Sequence, residues 1–231
     1  MLTFKNVGLN LGPNAVLSDL SFSVKPGEVV AILGASGAGK SSLFSLLVAE
    51  KKPSHGEILL DDISLGDLSA TSVQRYRRQI GVIFQDFRLL PQKTVFENVA
   101  FALEVCGQAE QVKTRVPELL KLVGLKAKAD HFPRQLSGGE RQRVSIARAL
   151  AHDPKMLIAD EATGNLDPKN SREIAELLQY LNQKTNLTLM FATHDPVLVQ
   201  KLNPRVIRLE KGQVRFDKHR CTLKEAFADL L

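Results

Sequence analysis

Tryptophan is missing from this 231-residue chain, and tyrosine and cysteine occur twice each. Cys106 and Cys221 are too few, and too far apart in sequence, to staple a small secreted scaffold, so free thiols are expected. No apolar run reaches the roughly 18 uncharged residues of a membrane-crossing helix, and no basic region followed by an apolar block opens the chain. Neither a transmembrane helix nor a signal peptide is therefore expected. Internal repeats and low-complexity linkers are also lacking. Charge of one sign is not concentrated: 31 Lys and Arg face 25 Asp and Glu, a net +6. The one dense cationic knot, "RYRR" (Arg75 to Arg78), reads as a solvated helix face, and no nucleic-acid partner is expected.

What is present is ordinary globular material, 44% hydrophobic and 24% charged, enough for one domain with a real core. "LTFKNV" and "AVLSDLSFSV" read as strands, and "EVVAIL" follows the turn "KPG". A helix is predicted over "GKSSLFSLLVAEKK", a strand in "PSHGEILLDD", a short helix from Thr71 to Arg78 and a strand in "QIGVIFQ". Positions 86–135 read as helix and loop, with "TVFENVAFALEVCG" and "VKTRVPELLKLVGL" amphipathic. "KMLIAD" and "LTLMFATHD" are short apolar strands of the parallel-sheet kind, separated by the helix "KNSREIAELLQYLNQKT". A hairpin, "RVIRLEKGQVRFD", and a short helix, "LKEAFADLL", complete the chain. Alternating strands and helices argue for an α/β fold with a β-rich start and a helical insert.

"LGASGAGKSS" lies between a strand and a helix and fits G-x-x-x-x-G-K-[ST] through Gly34, Gly39, Lys40 and Ser41. Glycines let backbone N–H groups converge on phosphate oxygens, and the helix start adds partial positive charge. Lys40 is suited to the β- and γ-phosphates and the Ser41 hydroxyl to Mg²⁺. Asp160 and Glu161 end one buried strand: the first suits a magnesium ion held through water, the second suits a base that takes a proton from water. His194 ends another strand and suits the γ-phosphate, while Asp195 beside it reads as a turn or cap residue. In "QLSGGERQRVSIARAL", Ser137 and Glu140 match a capping box. Two glycines in that first turn go beyond what a cap needs, and bare backbone there offers a second anion site.

In order and spacing, "GASGAGKSS", Gln85 after a strand, "LSGGERQ", "MLIADE", "GNLD" and "ATHD" resemble the motifs of ABC-type ATPases over nearly the whole chain. The resemblance implies an α/β P-loop ATPase core (1–85 and 136–231) with an N-terminal antiparallel β-subdomain and an inserted helical subdomain (86–135). It implies ATP and Mg²⁺, with Gly34, Ala35, Ser36, Gly37, Ala38, Gly39, Lys40, Ser41 and Ser42 around the phosphates. Ser41, Gln85 and Asp160 would serve the metal, Asp160 through water; Glu161 would be the catalytic base, assisted by His194 and Gln85. It further implies a head-to-tail homodimer in which Ser137, Gly138, Gly139 and Glu140 touch the ATP of the opposite subunit. Asn165, Leu166 and Asp167 would form the loop crossing that interface. Two positions depart from the family pattern: Leu11 stands where adenine usually meets an aromatic ring, and Ala162 where proline is common.

The segment "IFQDFRLLPQKTVFENVAFALEV", Ile83 to Val105, is apolar and aromatic yet carries Asp86, Arg88, Lys93, Glu97 and Glu104. Its wording resembles the cell-division branch of this family. That implies ATP-driven dimer closure coupled to an integral membrane partner, from the cytoplasmic side of the membrane, in regulating peptidoglycan hydrolysis. A transporter or lipoprotein-release ATPase is the alternative. Because the family docks its membrane partner here, Phe87, Leu89 and Leu90 are expected to line a partner groove with Arg88 at its rim. The competing expectation is that these side chains only pack the helical segment.

Overall fold

The computed structural model describes residues 1–61, 63–164, 166–219 and 221–228. The chain opens with β1 (Leu2–Leu11) and β2 (Asn14–Val24), then β3 (Val29–Leu33), α1 (Lys40–Leu47), β4 (His55–Leu60) and β5 (Ile63–Ser64). Strands β2, β1, β4 and β5, in that order, form an antiparallel sheet. After α2 (Ala70–Arg77) come β6 (Ile80–Ile83), α3 (Val95–Val105), α4 (Val112–Leu122), α5 (Gly138–Leu150) and β7 (Met156–Asp160). The chain continues through α6 (Pro168–Thr185), β8 (Thr188–Ala192), α7 (Pro196–Leu202), β9 (Arg205–Glu210), β10 (Gln213–Lys218) and α8 (Leu223–Ala226). A second sheet has the order β10-β9-β3-β8-β7-β6, parallel except for the edge strand β10.

The second sheet is covered on both faces, and strict alternation along its strands divides the core in two. Val30, Ile32, Met156, Ile158, Met190 and Ala192 point toward α1 and the antiparallel sheet. Ala31, Leu33, Leu157, Ala159, Leu189 and Phe191 point toward the helices α3 to α7. This is the α/β architecture expected, and the apolar runs "KMLIAD" and "LTLMFA" are buried on both faces because parallel strands here have no solvent side.

Two local expectations needed correction. Helix α1 stops at Leu47 rather than running to Lys52, and Ala49 takes a left-handed φ of 51°. The reason lies in "RYRR", which is not simply a solvated face: the buried Tyr76 hydroxyl donates to the Leu47 carbonyl. Arg77 donates to the carbonyls of Val48 (2.9 Å) and Ala49 (3.2 Å). The last carbonyl of α1 and the two that follow it are thus satisfied from α2. Helix α7 was not foreseen; Asp195, read as a turn or cap residue, caps it by accepting from the Val197 N–H at 2.8 Å, with Pro196 at its first position.

Candidate functional site

The loops after β3, β6, β7 and β8 all leave the carboxyl ends of parallel strands, the edge where open α/β sheets bind ligands. There they enclose a cavity of about 530 Å³, walled by Gly34 to Gly37, Gly39 to Ser42, Gln85, Asp160, Glu161, Thr193 and His194, with Val16 and Phe227. Gly39, which caps α1, has a φ of 105°, and a side chain there would strike Leu17 at 2.6 Å; only glycine satisfies both demands. Lys40 lies back along the loop and donates to the carbonyls of Gly34 (2.6 Å) and Ala35 (3.0 Å). The Ala38 side chain is buried and stays out of the wall, against the antiparallel sheet.

The acidic pair is divided between two environments. Burial pushes the Asp160 carboxyl above the usual carboxylate range and neighbouring Glu161 adds to this, against a hydrogen bond from Ser41 and the charge of Lys40. Glu161 sits at a left-handed φ of 51°, a conformation that costs a non-glycine residue roughly 1–3 kcal/mol. Its N–H donates to Ala192 (3.0 Å) and its carbonyl accepts from Gly164 (3.1 Å). Its Oε1 is 3.4 Å from His194 Nδ1. A methyl group placed on Gly164 would lie 3.3 Å from Glu161 Oε2, 3.5 Å from His194 Cε1 and 3.6 Å from Gln85 Nε2. Three side chains from three strand ends therefore converge on one point beside the phosphate loop.

The raised Asp160 value has a stability consequence with a definite sign. The folded state holds a proton that the unfolded state has released, so stability falls as pH rises through the window just above the ordinary carboxylate range. Asp160→Asn is expected to melt at a higher temperature than the parent near neutral pH, and to lose that part of the pH dependence. Thermal melts across pH measure this; a lower melting temperature for the variant at about pH 8 would contradict it.

A second set of residues lies elsewhere. None of Ser137, Gly138, Gly139 and Glu140 is in the cavity wall. Ser137 caps α5 by accepting from the Glu140 N–H (3.3 Å), and Glu140 answers by accepting from the Ser137 N–H (3.0 Å). Lys128 beside Glu140, at 2.5 Å, holds that carboxyl below the usual range, with the Ser137 N–H adding to it. The two glycines separate on inspection. Gly139 is buried, and a Cβ there would meet the Asn170 side chain of α6, Oδ1 at 2.0 Å, so that amide would have to swing aside to admit a larger residue. Gly138 is half-buried with only Leu166 near, and remains open to a ligand. Asp167 caps α6 by accepting from the N–H groups of Lys169 and Asn170, both at 3.0 Å. Asn165 lies outside the described residues.

Residues 17–164 match the family described as ABC transporter. The chain belongs to the ABC transporter family. It is 48% identical over 211 residues to the cell division ATP-binding protein FtsE of Bacillus subtilis, covering 90% of this chain and 92% of that protein. It is also 45% identical to the methionine import ATP-binding protein MetN of Caulobacter vibrioides, covering 93% of this chain and 65% of that protein. Among solved structures it resembles the dimeric post-hydrolysis state of an ATP-binding cassette bound to ADP and Pi, with a TM-score of 0.84 and 35% identity over 96% of this chain and 100% of that one. This protein is accordingly an ABC-type ATPase that binds ATP and hydrolyses it to ADP and phosphate.

For this ABC ATPase the segment after Gln85 is held more tightly than its sequence suggests. Phe87 and Arg88 take left-handed φ values of 60° and 46°. Arg88 covers the Phe84 ring at 4.0 Å, and Arg141 lies 5.3 Å from the Phe87 ring centre. Leu89 is half-buried against the helical core, while Leu90 is half-buried without belonging to it. Three wall residues were missed: Val16, which carries no motif; Thr193, which lies in "ATHD" but was given no role; and Phe227, visible in sequence only as one apolar position of the last helix. Leu11, read as the base contact, stands 42% exposed and outside the wall. Both cysteines are free, and no described helix is long and apolar enough to cross a membrane.

Proposed function

We propose that the protein is the ATP-hydrolysing subunit of a cell-division complex, in which two copies close on ATP and act on an integral membrane partner similar to FtsX. The reading carries ATP binding to Gly34–Ser42 and contact with the opposite subunit's ATP to Ser137–Glu140 and the 165–167 loop. Glu161 takes the proton of the attacking water, His194 and Gln85 hold that water against the γ-phosphate, and Ser41, Asp160 and Gln85 serve Mg²⁺. The complex sits on the cytoplasmic side of the membrane and regulates peptidoglycan hydrolysis. Residues 86–135 act as a helical subdomain on the 1–85 and 136–231 core.

The near end-to-end similarity to FtsE is the observation that carries this choice. The oxygen-rich set of Ser41, Asp160 and Gln85, with Ser41 bonded to Asp160, suits a hard cation. Among the described residues no cluster of three or more His, Cys, Asp or Glu could cage a metal, which suits an ion held largely by phosphates and water. Mg²⁺ there would neutralise charge on the β- and γ-phosphates. A second reading, the ATPase subunit of an importer, is favoured by the MetN similarity. Co-purification from membranes separates them: an FtsX-like protein supports the first, a solute-stimulated ATPase the second.

The groove at Phe87, Leu89 and Leu90 belongs to this proposal. Leu90→Asp is expected to weaken binding to the membrane partner by at least about 30-fold, the scale of an interface hot spot, with the melting temperature nearly unchanged. Leu89→Asp should lose the partner and some stability together, because Leu89 also packs on the core. Partner binding by Leu90→Asp at the parent's affinity would remove the groove from the proposal.

A further inference from the structure

The loop that carries Gln85 is strained at two consecutive residues, and the strain is opposed from one side. Phe87 and Arg88 both have positive φ, a region that side chains with a Cβ seldom adopt. Their two carbonyls both accept from Arg148 of α5: Nη2 donates to Phe87 at 2.8 Å and Nη1 donates to Arg88. Among the described residues Arg148 has no carboxylate within salt-bridge distance, so its fork is given over to loop backbone. Seven residues earlier on α5, and so on the same helical face, Arg141 covers the Phe87 ring. The Arg141 N–H donates to the Ser137 carbonyl at 2.9 Å. One helix therefore starts at Ser137, touches the loop at Arg141 and grips its strained backbone at Arg148.

We infer that Arg148 is a positioning residue for ATP hydrolysis: its grip on the Phe87 and Arg88 carbonyls fixes Gln85 in register with the helix that presents Ser137. A shift of α5 then carries Gln85 with it, so the loop in one subunit's cavity and the signature turn of the same chain move as one body. The guanidinium geometry matters. The planar fork puts a separate Nη on each carbonyl in a fixed geometry, whereas a lysine at this position would have to bring both carbonyls to a single ammonium on a side chain of different reach. The inference rests on the reading that Gln85 works in catalysis.

The test uses Arg148→Met and Arg148→Lys in the full chain, measured as steady-state ATPase kinetics below the melting temperature of each. Both are expected to lower kcat by about 10- to 100-fold, the scale of a small misplacement of a catalytic group, with KM for ATP nearly unchanged because the phosphate loop is untouched. Arg148→Lys should not rescue. Adding Arg88→Gly to Arg148→Met should recover part of kcat, because glycine adopts the left-handed conformation without the clamp. A merely structural Arg148 would predict lower stability, unaltered kcat in the folded fraction and no rescue. Folded Arg148→Lys with the parent's kcat, or a double variant no faster than Arg148→Met, would overturn the inference. Gln85→Ala is run in parallel: if it keeps full turnover, the reading of Gln85 fails; if it loses turnover while Arg148→Lys does not, only the clamp fails.

Discussion

Glu161→Gln is expected to lower steady-state ATP turnover by about 10²- to 10⁴-fold, the usual contribution of a positioned general base. Glutamine keeps the size of the side chain and its reach to His194, 3.4 Å away, but cannot accept the proton of water. Nothing in the substitution touches Lys40 or the loop glycines, so ATP binding should survive. Loss of one negative charge near the γ-phosphate should even favour the ATP-held dimer, which would accumulate on size-exclusion chromatography with ATP and Mg²⁺. A double variant with His194→Ala adds a sharper criterion. If the pair acts on one water, the double variant should be little slower than Glu161→Gln alone, since groups that act as a unit are not additive. Two independent contributions would multiply instead. Turnover at the parent's rate in Glu161→Gln would remove the base assignment altogether.

The motifs of this site were legible because they obey local rules. A glycine-rich turn between a strand and a helix has one well-defined consequence, and an acidic pair at the end of an apolar strand has few. The sheet was legible for the same reason: strands buried on both faces leave unbroken apolar runs. What could not be read were contacts between distant residues. "RYRR" gives no sign that Arg77 will take the two carbonyls just beyond α1, since its partners lie 28 and 29 residues earlier. Gly139 looks like half of an anion site, and the Asn170 side chain that crowds it belongs to another helix. Phe227 reaches the cavity wall only because α8 packs back against α7, an arrangement of surfaces and not of sequence spacing. The positive φ values of Phe87, Arg88 and Glu161 are illegible on principle: local preference disfavours all three, and the tertiary structure imposes them.

Asn98→Ala is expected to cost roughly 3 kcal/mol, from unsatisfied buried groups and a small cavity together. For a chain of this length that corresponds to a fall of about 6–12 °C in Tm. Asn98 lies in α3 with no exposed surface and spends its whole amide on the turn from Leu90 to Thr94, which starts at the proposed groove. Its Oδ1 accepts from the Leu90 N–H at 2.8 Å, and its Nδ2 donates to the carbonyls of Leu90 (3.1 Å), Lys93 (3.0 Å) and Thr94 (2.9 Å). Alanine leaves the N–H and the carbonyls of this turn without that partner. Asn98→Asp gives the opposite information at nearly constant volume. A carboxylate can still accept from Leu90, but its second oxygen would face three carbonyl oxygens, so the charged form should be less stable than the alanine variant. Those neighbours raise the pKa of the introduced carboxyl, and protonation restores a donor. Its stability deficit should therefore be largest above the raised value and shrink as pH falls toward the ordinary carboxylate range. Denaturant melts of the three proteins over pH decide the matter. An aspartate variant that is stable at neutral pH would mean that the amide protons do not bind this turn. A destabilised variant that still binds ATP but not the membrane partner would place the energetic cost where the hydrogen bonds are, in the turn at Leu90, and leave the phosphate loop out of it.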